Sequence, residues 1–225
     1  MEYIQVLKQC PLFKGLAEQD IQALLAGVPT VQKLYQAGES IVHTGDAAKT
    51  MGIILEGSLE LRNYLPNGNS IRIFHRSAGE VIGCAIMFSK KQTYPFNILA
   101  STPCRLLFIR KPDFICLLTR NTGFMGNMLE LFAERITHFD YRLELLAYSS
   151  IQKKIAYSLL HDFQCNAGAE IQLPFTKQVW ADYLNVSRPS LSRELKVMAE
   201  AGILSLAKER IRIVDKKKLE RLLEE

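Results

Sequence analysis

Between Val31 and Ile109 apolar and polar positions alternate in short runs, "MGIILEG", "SLELRNYL", "SIRIFHR" and "CRLLFIR", punctuated by Gly38, Gly45, Gly57, Gly68 and Gly79. The glycines lie 7, 12, 11 and 11 residues apart, a spacing that predicts short strands of an antiparallel barrel or roll. "LPNGNS" reads as a hairpin turn, because Asn67-Gly68 readily supplies positive φ. A helical segment over roughly Tyr3 to Gly27 precedes the strands.

Beyond them the period lengthens. Met125, Leu129, Phe132, Ile136, Phe139, Leu143 and Leu146 follow one another at alternating steps of four and three, with no proline between them. This is a three-heptad stripe on one long helix. A single stripe of this kind ordinarily packs on its own domain. Here Met128, Leu131 and the stem of Arg135 can cover the strands from an adjacent face, leaving the seven-residue seam for a second copy of the helix. A homodimer is expected.

The last third is helical again. "SSIQKKIAYSLLHDF" is an amphipathic helix capped by Ser149 or Ser150. After it, Thr176 can cap a helix running to Leu184 with Trp180, Ala181 and Leu184 turned inward, and Asn185 sits where the chain reverses, a place that tolerates left-handed backbone. Ser187 caps the next helix and Pro189 falls in its first turn, where a missing N–H costs nothing. On that helix Leu191, Leu195 and Met198 share one side, and Ser192, Arg193 and Lys196 occupy another. "SLAKERIRIVD" reads as a β-hairpin, and "KKKLERLLEE" as a basic terminal helix.

Two short helices around a tight corner, followed by a hairpin, form a helix-turn-helix with a wing, whose second helix enters the major groove of DNA. "RPSLSRELK" alone would be an ordinary solvated helix face. The Asn-Val-Ser corner, the wing and the separate dimer helix turn the reading toward double-stranded DNA. The candidate contacts are Thr176, Ser187, Arg188, Ser190, Ser192, Arg193 and Lys196. Arginine can make two bonds to guanine, while hydroxyls and helix-start amides suit phosphates.

Composition narrows the class. At 225 residues and 48% hydrophobic content the chain can bury one large core or two modest ones. The net charge of +5 permits nucleic-acid binding without demanding it. Residues 151–225 carry 13 basic against 10 acidic side chains, so the basic bias points weakly to the C-terminal third. No apolar run is long enough for a signal peptide or a membrane span, and a cytoplasmic protein with no membrane contact is expected. Cys10, Cys84, Cys104, Cys116 and Cys165 are scattered with no C-x-x-C pair, so neither structural disulfides nor a zinc site is expected. No catalytic motif is present, and His43, His75, His138 and His161 have no recognisable partners; an enzyme is not expected.

"AGESIVHTGDAAKTMGIILEGSLEL", the turn "GEVIG" and "VWADYLNVSRPSLSRELKVMAEAGIL" together resemble the CRP/FNR superfamily of bacterial transcription regulators, over nearly the whole chain and in the right order. The resemblance implies an α+β chain with three parts: a cyclic-nucleotide-binding-like double-stranded β-roll over 1–119, a dimerisation helix and hinge over 120–148, and a winged helix-turn-helix over 149–225. It implies a two-fold symmetric operator and RNA polymerase as a further partner. It places Arg188, Ser192 and Arg193 at reading positions. Many members carry a glutamate after the residue matched by Arg188, and here that place is Pro189. An acceptor for cytosine is thereby lost, worth roughly 1–3 kcal/mol at one base pair.

A second departure concerns the sensor. In cyclic-nucleotide binders of the family, the turn "GE-x-x-G" leads to a glutamate for the ribose and an Arg-Ser or Arg-Thr pair for the phosphate. Those places hold Cys84 and Tyr94-Pro95. A phosphate would lack its charge-assisted bonds, and the nearby Lys90 and Lys91 are flexible point charges rather than a fork. The surroundings, Ile82, Gly83, Cys84, Ile86, Met87, Phe88, Tyr94, Phe96 and Ile98, are neutral, and at least half are expected to be plain core. The predicted effector site is Ile82, Gly83, Cys84, Met87, Tyr94 and Phe96, taking an uncharged ligand with Tyr94 as donor; a regulator active without ligand is also allowed. Iron–sulfur relatives bunch cysteines near the N-terminus, where only Cys10 lies, and Cys84 and His75 are out of register for haem. No cofactor or metal is expected.

The expected function is an effector-controlled, homodimeric, sequence-specific transcription regulator. Its rivals are a thiol-sensing regulator using Cys10, Cys84, Cys104 or Cys116, and a cyclic-nucleotide-like module that binds no DNA. Leu143, Leu146 and Tyr148 are the expected hinge contacts.

Overall fold

The computed structural model describes residues 3–64, 70–162, 170–172, 176–207 and 210–224. It divides into two compact units, Met1–Glu134 and Arg135–Glu225.

The first unit begins with α1 (Ile4–Gln9), a 3-10 turn (Pro11–Phe13) and α2 (Glu18–Leu25). Eight strands follow: β1 (Thr30–Tyr35), β2 (Ser40–Val42), β3 (Thr50–Glu56), β4 (Ser58–Tyr64), β5 (Ser70–Ser77), β6 (Val81–Ile82), β7 (Asn97–Ala100) and β8 (Cys104–Arg110), with the short helix α3 (Cys84–Phe88) between β6 and β7. They form two four-stranded antiparallel sheets, ordered β1-β8-β3-β6 and β2-β7-β4-β5. The four quoted apolar runs are β3, β4, β5 and β8. β4 and β5, on either side of Asn67-Gly68, pair antiparallel, but the turn expected at that dipeptide lies outside the described residues.

Alternation decides which face each strand buries. Leu59 lies opposite Ala100 and Leu61 opposite Ile98, and all four are buried in the roll's core. Glu60, between them, points the other way. At Gly57 (φ +79) a Cβ would lie 2.3 Å from the Pro103 carbonyl oxygen, so only glycine fits the β3–β4 corner.

α4 (Lys111–Arg120) leads to α5 (Thr122–Ala147). The Asn121 side-chain oxygen accepts from the Phe124 N–H at 2.9 Å, capping the long helix. Phe124 is fully buried between Phe13 and Phe114, at centroid distances of 5.1 and 5.7 Å. Met128 is buried in the same core and Leu131 packs against it. The seam positions Leu129 and Ile136 are each 62% exposed and Leu143 is 68% exposed, with Met125, Phe139 and Leu146 also open. Phe132 differs: it is partly buried against the roll's core.

The second unit holds the end of α5, then α6 (Ile151–Tyr157), which widens into a π turn over Ser158–Asp162. β9 (Glu170–Gln172), α7 (Lys177–Tyr183), α8 (Arg188–Glu200), β10 (Leu204–Ala207), β11 (Arg210–Ile213) and α9 (Lys216–Glu224) follow. β10 and β11 pair antiparallel as the expected hairpin, and β9 adds a third strand in the order β10-β11-β9. Three residues of β9 are too few for a period-2 pattern to show.

The three residues expected at the hinge differ in burial. Leu143 and Leu146 belong to the exposed seam, whereas Leu145 is fully buried in the second core. Tyr148 does pack, 5.5 Å from the Tyr157 ring. Around it, Glu144 accepts from the Tyr157 hydroxyl at 2.7 Å, and the Arg142 guanidinium lies 4.3 Å over the Tyr183 ring.

Candidate nucleic-acid interface

α7 starts at Thr176, whose hydroxyl accepts from the Val179 N–H at 3.4 Å. Trp180, Ala181 and Leu184 are fully buried. The corner is closed by two backbone bonds, Val186 N–H to Ala181 (2.9 Å) and Asn185 N–H to Asp182 (3.1 Å), with Asn185 at φ +53. This pairing satisfies the last carbonyls of α7 and turns the chain sharply into the next helix.

α8 opens at Ser187. Its hydroxyl accepts from the Ser190 N–H at 3.2 Å and donates to the Ser190 hydroxyl at 2.8 Å. Pro189 sits in the first turn. Leu191, Leu195 and Met198 are buried, while Arg188, Arg193 and Lys196 are exposed and Ser190 and Ser192 partly so. The side chains at Arg188, Ser192 and Lys196 recur every four residues and share one face. Thr176 caps the other helix rather than lying on this face.

Three supporting residues escaped the sequence reading. Lys154 of α6 is buried and donates to the Leu184 carbonyl at 3.3 Å. Gln152 of α6 donates to Glu194 of α8 at 2.9 Å. Ser158 accepts from the Trp180 indole N–H at 3.1 Å. A signal did exist: Ile151, Lys154, Ile155, Ser158 and Leu159 follow helical spacing, so two polar residues stand where apolar ones belong.

In the roll, Gly83 (φ +75) opens α3, and a Cβ there would lie 2.3 Å from the Tyr94 hydroxyl and 2.9 Å from the Thr50 carbonyl oxygen. The phenol is lodged directly against the glycine. Ile82, Cys84, Met87 and Tyr94 are all buried in the roll's core, and Phe96 packs against it, with its ring 6.3 Å from Tyr94 in an edge-to-face arrangement. Burial, and secondarily Asp46, pushes the Tyr94 hydroxyl up to about 12. Cys10, Cys84 and Cys104 are buried and Cys116 is partly so; Cys165 lies outside the described residues. Burial pushes the Cys10 thiol up to about 12, which disfavours the reactive thiolate. Among the described residues no group of three or more His, Cys, Asp or Glu is placed to hold a metal ion.

The cyclic nucleotide-binding domain family matches residues 32–121, and the Crp-like helix-turn-helix domain family matches residues 153–222. The chain belongs to the CRP/FNR family of transcription regulators. It is 25% identical to the cyclic AMP receptor protein of Thermus thermophilus over 200 residues, 89% of this chain and 90% of that protein. It is 24% identical over 206 residues to the global nitrogen regulator of Nostoc sp. PCC 7120, covering 89% and 92% of the two chains. A solved structure of a CooA variant from Carboxydothermus hydrogenoformans shares the fold with a TM-score of 0.63 at 14% identity, over 86% of this chain and 88% of that one.

A CRP/FNR regulator binds DNA through this helix-turn-helix. The family's members regulate transcription. Among the described residues no helix is long and apolar enough to cross a membrane.

Proposed function

We propose that this CRP/FNR regulator binds a two-fold symmetric operator as a homodimer, with α8 of each protomer in successive major grooves about 34 Å apart. The observation that carries the reading is the exposure of Arg188, Arg193 and Lys196 on a helix whose opposite face is locked by Leu191, Leu195 and Met198. Arg193 and Arg188 read base edges, with Ser187, Ser190, Ser192, Lys196 and Thr176 near the backbone. The seam Met125, Leu129, Ile136, Phe139, Leu143 and Leu146 joins the protomers, with Phe132 at its border. RNA polymerase is the further partner.

Functionally the chain divides into a sensor (1–119), a dimer helix and hinge (120–148) and a DNA-binding domain (149–225). The sensor takes an uncharged effector beside Ile82, Gly83, Cys84, Met87, Tyr94 and Phe96, which shifts the population toward the dimer whose α8 helices fit the operator. What supports a neutral ligand is the lack of an arginine at Tyr94-Pro95 and the phenol already resting on Gly83. Fluorescence anisotropy tests the DNA reading: the protein should prefer a duplex selected from a randomised pool over a random duplex by a factor of about 1,000 or more. Equal affinity for the two would end it.

A further inference from the structure

The Glu194 carboxylate lies between a hydrogen-bond donor and a cation that belong to different elements. Its Oε2 accepts from Gln152 Nε2 of α6 at 2.9 Å, and its Oε1 lies 3.6 Å from Arg193 Nε. The Glu194 side chain is only 20% exposed, while that of Arg193 is 71% exposed.

Neighbours at i and i+1 on a helix point about 100° apart and do not ordinarily face each other. The Arg193 guanidinium therefore leans across the helix toward Glu194. A carboxylate beside a DNA-facing arginine also repels phosphate, so for DNA binding it is a liability unless it does something for the arginine. We propose that Glu194 is a positioning residue for Arg193, anchored by Gln152, so that the arginine meets DNA already oriented.

The chemistry fits. Gln152 fixes the carboxylate from outside α8, so Glu194 is a rigid post rather than a second floppy side chain. Holding Arg193 by Nε leaves its two terminal amino groups for the O6 and N7 of guanine. Ordering an arginine on binding is otherwise an entropic cost of complex formation. The relay also ties α6, which follows the hinge, to the reading residue on α8. The proposal rests on the reading of Arg193 as a base contact.

The test measures the ratio of affinities for the selected duplex and for a random duplex of equal length, with thermal unfolding of each variant in parallel. Arg193→Ala is expected to lower the ratio about tenfold or more. Glu194→Gln is expected to lower it about threefold or more while affinity for random DNA stays level or rises, because a negative charge has gone. Gln152→Leu should act in the same direction. In the Arg193→Ala background Glu194→Gln should change the ratio no further.

The relay is overturned if Glu194→Gln leaves the ratio unchanged, or lowers it equally with and without Arg193. It is also overturned if both affinities fall together with the melting temperature, which marks a purely structural role. If Arg193→Ala leaves the ratio intact, the reading of Arg193 itself fails, and that result is distinct from the others.

Discussion

Lys154 and Leu184 meet at 3.3 Å, the buried lysine amine donating to the carbonyl that ends α7. The last carbonyls of a helix carry partial negative charge and lack partners within the helix, so a cation there both caps the helix and ties α6 to the helix-turn-helix corner. Lys154→Met keeps the stem and removes the donor. Relief of the amine's desolvation offsets part of the loss, and the net expected cost is about 1 kcal/mol, read as a lower midpoint in urea unfolding of the full chain. An unchanged midpoint would mean that the contact adds nothing net.

Asn185 has a left-handed backbone at φ +53. Asn185→Ala is expected to cost about 1 kcal/mol, since a Cβ without a polar side chain is disfavoured there, and Asn185→Gly is expected to cost nothing measurable. Urea midpoints for the two variants give the comparison. A glycine variant as unstable as the alanine one would put the cost in the Asn side chain rather than in the backbone.

Leu129 and Ile136 are large, apolar and 62% exposed. Leu129→Asp and Ile136→Asp place a charge in the proposed seam and are expected to shift sedimentation from the two-chain to the one-chain species with the fold intact by circular dichroism. Persistence of the dimer in both would move the interface elsewhere.

Cyclic AMP and cyclic GMP are expected to leave the melting temperature unchanged, and a neutral effector at 100 times its Kd to stabilise by about 2.7 kcal/mol. A thermal shift with either cyclic nucleotide would mean that groups other than Cys84 and Tyr94-Pro95 hold the phosphate.

Alkaline pH should destabilise the protein through Cys10 and Tyr94. Both acids are raised on folding, Cys10 from 9.0 and Tyr94 from 10.0, each to about 12. Below pH 9 both are protonated in the folded and unfolded chain, so they contribute no slope. As pH rises from 9 for Cys10, or from 10 for Tyr94, the unfolded chain releases a proton that the folded chain retains. Stability then falls by about 1.4 kcal/mol per pH unit per group until about pH 12. Cys10→Ala should flatten the fall between pH 9 and 10, measured by urea unfolding at each pH; an unaltered slope would show that the thiol is not the group responsible.

Much of the interface could be read from the chain because its determinants are local. Thr176, Ser187, Pro189 and Asn185 each specify a helix start or a reversal through bonds within a few residues, and the structure places each in that role. Glu194, Gln152 and Lys154 could not be read the same way, because their partners lie 42 and 30 residues away and only packing brings them together. Leu143 and Leu146 show a further limit. A heptad stripe marks a shared face, but only the packed structure showed that Leu145, on the opposite side, meets the core.

The sequence by itself determined the periods, two in the strands and about three and a half in α5, and the corner of the helix-turn-helix, which follow from steric and hydrogen-bonding preferences that act over a few residues. The fold class and the lack of an arginine at Tyr94-Pro95 came from its resemblance to a family. Only the tertiary structure decided that the Tyr94 hydroxyl rests on Gly83, that Phe132 turns partly to the roll, and that a third strand completes the wing. Each depends on which distant segments pack together, and chain-wide burial, not local preference, selects that arrangement.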